Sequence, residues 1–566
     1  MPVITGTAGN DRLVGTSGQD TLTGLAGRDT IDPGHGSDRA DGGHGADLLF
    51  WDQNPNSTGV IDTYIGGVGG EAYDANLYGA LSGGDRLHLG TSAGSGGFRV
   101  TFTTTEDGHA LDAWGNRLNF TGFERLQTGA GDDRIEARGA SILPARGSGS
   151  DHVPVHGLTV NSGAGNDYIS GTNADDVLYG GTGNDTIYGN GGTDLLMSSA
   201  GDDYGHAGDG DDNVRWGNNG GLDPITNIGR DTLVGGNGTD LLNIWAKGDG
   251  DNSPGARVVF TTASSGTASY LTYGTLTFSE FEQYWTHEGK DTVIASGARI
   301  GVNEQGIWFN TRWGDDRITG SNGRDWLEGG DGADTIDGGR GNDLISLFED
   351  IYIDGLVTPD AYRDVLVVRD GAGIDTIRGF QLGDLRNAAG EIVRYGDRLS
   401  LGNLHDAQGN RVDVNDVRVT SNRDGHAVLS FPNGEQLVLE GVSAGALNRT
   451  MLNRIGIPNP VATNSTATPT TAAARTAEPA PTESAVSGAN LALDAPMSEG
   501  PGAETAPSLA RAPALWQQIS EAVESALQDH SHGQALPDLY LHLSQALERS
   551  DFHSVLTADG FQFDWT

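Results

Sequence analysis

Isolated aliphatic residues recur along this chain at a nine-residue step, Leu13, Leu22 and Ile31 in one stretch and Leu178, Ile187 and Leu196 in another. An aspartate stands two residues before each of them, and nearly every such aspartate follows a glycine by two residues. The first run is Asp11, Asp20, Asp29, Asp38 and Asp47; the register returns at Asp167, Asp176, Asp185, Asp194, Asp203 and Asp212, then at Asp231 and Asp240, and again at Asp316, Asp325, Asp334 and Asp343. With 89 glycines in 566 residues the chain has the composition of a flexible acidic polymer. Such a polymer would not hold glycine, aspartate and aliphatic at three separate positions in one phase.

The physics of the unit follows from its residues. Consecutive glycines permit positive φ and let carbonyl oxygens turn toward a shared point. The aspartate adds a hard anionic oxygen, and about six oxygens at about 2.3 to 2.6 Å are what a calcium ion takes. The aliphatic residue sits in a short strand and points into the coil. Because each strand buries its apolar residue only against its neighbours, the units must stack. Without metal, packed aspartates repel one another and glycine-rich backbone has too much entropy to lose, so the arrays are expected to be disordered until calcium binds.

The best-formed units, GGHGAD ending at Asp47, GGTGND at Asp185, GGNGTD at Asp240, GGDGAD at Asp334 and GGRGND at Asp343, resemble the G-G-x-G-x-D-x-U-x nonapeptide of repeats-in-toxin (RTX) proteins. The resemblance implies an all-β fold of stacked parallel β-rolls in which two nonapeptides make one coil. It implies multiple Ca2+ ions between turns on the same side, with all seventeen aspartates as metal-ligand candidates. The unit at Asp38, with Pro33 in place of its first glycine, is degenerate, and the better-matched units are expected to bind first.

Composition adds a compartment. The chain carries 77 acidic and 34 basic residues, a formal charge of -43, which excludes nucleic acid as a natural partner and disfavours anionic membrane. Repeated-turn calcium sites belong with extracellular modules, whose dissociation constants run about 10⁻⁴ to 10⁻³ M. The absence of cysteine rules out a disulfide framework and a thiolate metal site. Residues 1–14, MPVITGTAGNDRLV, have no basic and apolar leader pattern, and no stretch approaches a transmembrane helix. RTX proteins generally leave Gram-negative cells through a type I channel guided by an uncleaved C-terminal signal, so the resemblance implies the type I secretion apparatus as a partner.

The pattern divides the chain into a β-roll over 1–50, an insert over 51–128, a second roll over 129–254, a second insert over 255–298, and a third roll over 299–349. A C-terminal β module over 350–457 is expected to cap the roll. It contains DVLVV at Asp364 to Val368, GAGID ending at Asp375, and a hairpin from Ala427 to Val442 turning at Asn433 and Gly434. It resembles a module of secreted alphaproteobacterial calcium-binding proteins. Residues 458–513 read as a Pro, Ala, Thr, Ser and Glu linker, and 514–566 as a small α-helical tail that serves as a secretion signal or a docking domain. The inserts are copies. Arg99 to Ala140 aligns with Arg257 to Ala298 at a constant offset of 158 residues, pairing Val100, Phe102, Gly108, Phe120 and Phe123 with Val258, Phe260, Gly266, Phe278 and Phe281. Each copy reads as a β-hairpin with one apolar face.

No catalytic constellation emerges: H-E-x-x-H, G-x-S-x-G and the phosphate-binding loop are all missing. The repeats begin at Thr5, which leaves no room upstream for a passenger enzyme. His152 and His156 beside Asp151, and His530 with His532, have metal-ligand chemistry but read as solvated loop histidines. Trp114, Trp245, Trp285, Trp308, Trp313 and Trp326 lie in or beside the inserts, placed either as core or to stack on sugars. The reading is a secreted, non-enzymatic calcium-binding protein with a structural, adhesive or matrix role, located outside the cell or on its surface. A polysaccharide-binding or polysaccharide-processing role is the alternative, and a groove where tyrosine and histidine converge beside an insert would mark it. A secreted effector or toxin is a further alternative, weakened by the lack of an apolar pore-forming domain.

Overall fold

The computed structural model describes residues 2–52, 58–67, 84–90, 97–144, 156–217, 227–245, 253–301, 304–348, 361–387 and 390–460. The tail 514–566 lies outside the described residues, as do the linker beyond Pro460 and Asp151, His152, His530 and His532.

Alternate units feed alternate sheets. Thr21–Ala26 pairs in parallel with Arg39–His44, setting Leu22 against Ala40, while Arg12–Thr16 pairs with Thr30–Gly34, setting Leu13 against Ile31. One turn of the coil is therefore two nonapeptides, with equivalent residues 18 apart. The aliphatic residues stack into two buried columns that face each other across the core. One runs through Ile135, Ile169 and Ile187, the other through Val160, Leu178 and Leu196. A single unit exposes most of its apolar residue, and the stack covers it, which is why the strands can be as short as Tyr168–Ser170.

Each insert joins the sheet in an order the coil alone would not produce. Arg117–Thr121 stacks in parallel on Ile61–Gly67, Gly108–Leu111 runs antiparallel between it and Arg99–Phe102, and Arg99–Phe102 hands the sheet on to Arg134–Glu136. The chain thus enters its own sheet last strand first. The copy repeats this with Gly274–Ser279 on Gly229–Asn237, then Ser265–Tyr270, Pro254–Thr262 and Lys290–Ile294. Gly108 lies opposite Phe102 and Phe120, and Gly266 opposite Phe260 and Phe278. A Cβ on either glycine would come within 2.7 Å of the facing phenylalanine Cζ, so the column has room for a ring only because the middle strand has none.

Pairing is unbroken from Val3–Thr5 to Arg398–Asn403 in one sheet and from Arg12–Thr16 to Gln436–Ser443 in the other, and the described core forms one cluster. At the far end His426–Ser430 and Arg418–Ser421 turn back antiparallel on Gln436–Ser443. The helix Arg449–Arg454, capped by Asn448 at Met451 N, then brings Leu452, Ile455 and Ile457 onto the last coil. The fold is all-β and built from parallel β-roll coils.

Candidate metal centre

Every aspartate of the repeat enters its strand from the same point of the coil, and within each run its backbone N–H is tied to the carboxylate of the next coil. Asp167 N donates to Asp185 Oδ1 at 2.8 Å, Asp185 N to Asp203 Oδ1 at 2.8 Å and Asp203 N to Asp231 Oδ1 at 2.8 Å. At the other sheet Asp176, Asp194, Asp212 and Asp240 form the same chain. Asp11, Asp29 and Asp47 form one ladder near the other end, Asp20 and Asp38 its counterpart, and Asp316 with Asp334 and Asp325 with Asp343 repeat the two later on. All seventeen are therefore in two ladders, one per sheet. All are buried except Asp11, which is half-buried in the first coil.

The second carboxylate oxygen separates the units into groups. In Asp29, Asp38, Asp47, Asp167, Asp185, Asp194, Asp203, Asp212, Asp240, Asp316 and Asp343, Oδ2 is buried with no hydrogen-bond partner. In the units of Asp29, Asp47, Asp194 and Asp240 it lies beside the glycine five residues earlier and a neighbouring carbonyl: a Cβ on Gly24 would collide with both Asp29 Oδ2 and the Gly42 carbonyl oxygen, and one on Gly189 with Asp194 Oδ2 and the Ala207 carbonyl. Two acceptors meet there with no donor between them. That is an unfavourable arrangement for protein alone and a favourable one for a hard cation, so these residues fit calcium.

The backbone four residues before the aspartate decides which arrangement forms. In these eleven units it has positive φ, and where it is not glycine it is Leu25, Asn190, Ser199 or Arg312, at φ of 84°, 80°, 73° and 65°. Non-glycine residues adopt this conformation rarely, so the turn holds it against a local cost. In the units of Asp11, Asp20, Asp176 and Asp325 the position is Thr7, Thr16, Thr172 or Ser321 instead. There the backbone N–H donates to Oδ2 at 2.6 Å and the hydroxyl donates to the same carboxylate. Asp231 is a third case, its Oδ2 accepting from Trp216 Nε1 at 2.5 Å.

The ladders hold residues that the nine-residue phase passes over. Asp62, Asp85, Asp364, Asp375 and Asp397 each accept from the backbone of an earlier rung, as do Glu124 and Glu282, while Asp133 and Asp291 accept from Phe98 N and Ala256 N and donate their own N–H to Asp167 and Asp316. Insertions break the count between rungs, but each of these acids still stands two residues before a buried apolar residue: Tyr64, Leu87, Ile135, Val293, Leu366, Ile377, Leu399, Leu126 and Tyr284. That local pair was the available signal.

Burial raises these carboxyls in the ion-free protein. Asp38 and Asp167 are pushed up to about 6, Asp47, Asp185, Asp212 and Asp240 to about 7, Asp203 and Asp343 to about 9, and Asp194 to about 10. Neighbouring rungs add repulsion to the desolvation, most at Asp194 from Asp176 and at Asp343 from Asp375.

Two further features lie off the ladders. His156, read from sequence as a solvated loop residue, is buried, and its Nε2 lies 3.5 Å from Glu106 Oε1. Folding brings residues 50 apart together there, which no local pattern announces. On the outer face of one sheet Tyr168, Tyr188 and Tyr204 stand in a row at centroid spacings of 5.9 and 5.8 Å. Beside them a groove of about 350 Å³ is lined by Arg138, Asn173, Tyr188, His206, Asp209 and Glu280 among others. Of the tryptophans singled out from sequence, Trp285 is buried, whereas Trp308 and Trp326 stack on the outer face of the other sheet at 4.4 Å and an interplanar angle of 4°.

A parallel roll with a carboxylate ladder at each sheet is the architecture of a calcium-binding repeat protein. The family model for the RTX calcium-binding nonapeptide repeat matches residues 5–40, 119–140, 161–196, 179–214, 225–243 and 311–345. The chain carries RTX-type repeats, which are calcium-binding motifs for multiple Ca2+ ions. No curated protein matches the sequence. Among solved structures, the extracellular lipase LipA from Serratia marcescens is similar at 16% identity, over 53% of this chain and 45% of that chain, with a TM-score of 0.15. The match thus spans less than half the length of the lipase. Among the described residues no helix is long and apolar enough to cross a membrane.

Proposed function

We propose that this chain is a secreted structural or adhesive protein whose roll is made rigid by calcium outside the cell. The observation that carries the reading is the column of buried Oδ2 atoms without a hydrogen-bond partner, crowded against carbonyl oxygens in the units of Asp29, Asp47, Asp194 and Asp240. In the low calcium of a cytosol that column disfavours the fold, and the chain stays extended and exportable. In extracellular calcium the same atoms become ligands. Calcium supplies charge neutralisation and a link between successive coils. Asp29, Asp38, Asp47, Asp167, Asp185, Asp194, Asp203, Asp212, Asp240, Asp316 and Asp343 hold it, with Asp334 in the same kind of turn at Gly330. Asp11, Asp20, Asp176, Asp231 and Asp325 shape the coil with protein donors instead. Export runs through a type I channel that reads residues 514–566.

The test is circular dichroism through a calcium titration, with magnesium as control. A cooperative gain of β-structure at about 0.1 to 1 mM calcium, absent with magnesium, supports the reading; a chain already folded in chelator overturns it. For export, deletion of residues 514–566 is expected to leave the protein inside the producing cell.

The tyrosine row and its groove favour a second role, binding of a surface polysaccharide. Aromatic faces in a row suit successive sugar rings, and Asn173, Arg138 and Glu280 supply hydrogen bonds. Burial and the phenols of Tyr204 and Tyr168 push Tyr188 up, so it acts as a hydrogen-bond donor and not as a base, which favours binding over cleavage. Tyr188→Ala is expected to abolish retardation of the calcium-loaded protein in polysaccharide gels; unchanged retardation, or none in the parent, removes this role.

A further inference from the structure

We propose that Glu106, Glu124 and His156 form a site for a borderline divalent ion of the zinc type, separate from the calcium ladders. One atom of each residue lies within 4.8 Å of the other two, and all three side chains are buried, at 1%, 5% and 6% exposure. His156 Nδ1 bonds the Gly157 carbonyl at 2.7 Å, so Nδ1 carries a proton and Nε2 is turned toward the carboxylates. The 3.5 Å between His156 Nε2 and Glu106 Oε1 is long for an ion pair. It is close to the separation of about 3.3 to 3.5 Å between two ligands on one tetrahedral zinc, given bonds of about 2.0 to 2.2 Å.

Glu124 supplies the second observation. Its Oε2 accepts the ladder bond from Asp85 N at 2.7 Å, which holds the buried carboxylate beside Glu106 and His156. Two buried carboxylates share one imidazole, and burial with the charge of Glu106 pushes Glu124 up to about 7, an arrangement that a divalent cation would relieve. An imidazole nitrogen selects against calcium, which takes oxygen, and for zinc and its neighbours.

The duplicated insert is an internal control. Phe123 N bonds the Glu106 carbonyl at 3.0 Å, and Phe281 N bonds the Ser264 carbonyl at 3.3 Å, so the two backbones match. In the copy Glu282 keeps the ladder bond, from Asp240 N at 2.9 Å, but Ser264 stands in place of Glu106 and Gln305 at the position equivalent to His156, as the matching bonds of Leu158 N to Asp176 and Ile307 N to Asp325 fix it. The first copy alone carries the triad.

The experiment uses the full chain saturated with calcium. Zinc binding is followed by calorimetry and cobalt binding by visible absorption, for the parent, Glu106→Ser, His156→Gln and the surface control His44→Ala. One equivalent of zinc is expected in the parent and in His44→Ala. In Glu106→Ser and His156→Gln affinity falls by about tenfold or more, with the calcium-induced circular dichroism retained. Because serine already occupies the matching position of the copy, Glu106→Ser decides the matter if His156→Gln does not fold. No stoichiometric zinc binding in calcium, displacement of zinc by calcium, or unchanged affinity in Glu106→Ser overturns the proposal. Failure of the calcium-folding reading would appear separately, as β-structure already present in chelator.

Discussion

The backbone N–H of Asp167 donates to Oδ1 of Asp185, 2.8 Å away and one full coil further on. The aspartate therefore has two tasks: one oxygen sets the spacing between coils, and the other, buried with no hydrogen-bond partner, is open to a cation. Asp185→Asn preserves the first task and removes the negative charge. It is expected to lower calcium stoichiometry by at least one ion while leaving the coil spacing intact. Asp185→Ala also strands the buried Asp167 N–H and is expected to cost about 1 to 3 kcal/mol more. Thermal melts in saturating calcium, compared between the two variants, check the difference.

Hydroxyl-capped and open units should respond differently to the same change. Asp194→Asn is expected to reduce the number of bound calcium ions and shift the titration midpoint upward. Asp176→Asn, whose carboxylate is already served by Thr172, is expected to leave stoichiometry unchanged. Equilibrium dialysis against calcium distinguishes them, and equal losses in the two variants would contradict the division.

The pH dependence of the ion-free fold has a definite sign. Asp185, Asp212 and Asp240 are raised from the ordinary 3.8 to about 7 by burial. A group whose folded value is raised contributes stability that is full below its unfolded value and lost as pH rises through the folded one. Without metal, β-structure should therefore grow as pH falls from about 7 toward about 4. Calcium needs the ionised form, so its midpoint concentration should rise over the same interval. Circular dichroism of metal-free protein against pH, beside calcium titrations at pH 5 and pH 7.5, tests both trends; metal-free β-structure that increases with pH would contradict the first.

Gly266→Ala tests the order of strands in the second insert. The added methyl meets Phe278 Cζ at 2.7 Å and the Val259 carbonyl more closely still. Overpacking of this kind costs about 1 to 3 kcal/mol. A lower melting temperature in saturating calcium is expected, with a matching loss for Gly108→Ala; two neutral substitutions would mean that the middle strands do not lie between those rings.

The nonapeptide phase by itself determined the coil, because stacking is the only way to bury Leu13, Ile31, Ile187 or Leu196 from so short a strand, and because aspartate at a fixed distance before each of them lands at a fixed place in the turn. It also placed the metal-ligand candidates as acids spaced by one unit. Three things were decided only by tertiary structure. The entry of the inserts into the sheet last strand first depends on pairing between distant strands such as Arg117–Thr121 and Ile61–Gly67, where sequence shows only local alternation. The rungs at Asp62, Asp85, Asp133 and Glu124 escape the period because insertions change the count while the hydrogen bonds restore the register. The meeting of Glu106, Glu124 and His156 has no sequence spacing to announce it, since it is made by the return of the chain to the same edge of the coil.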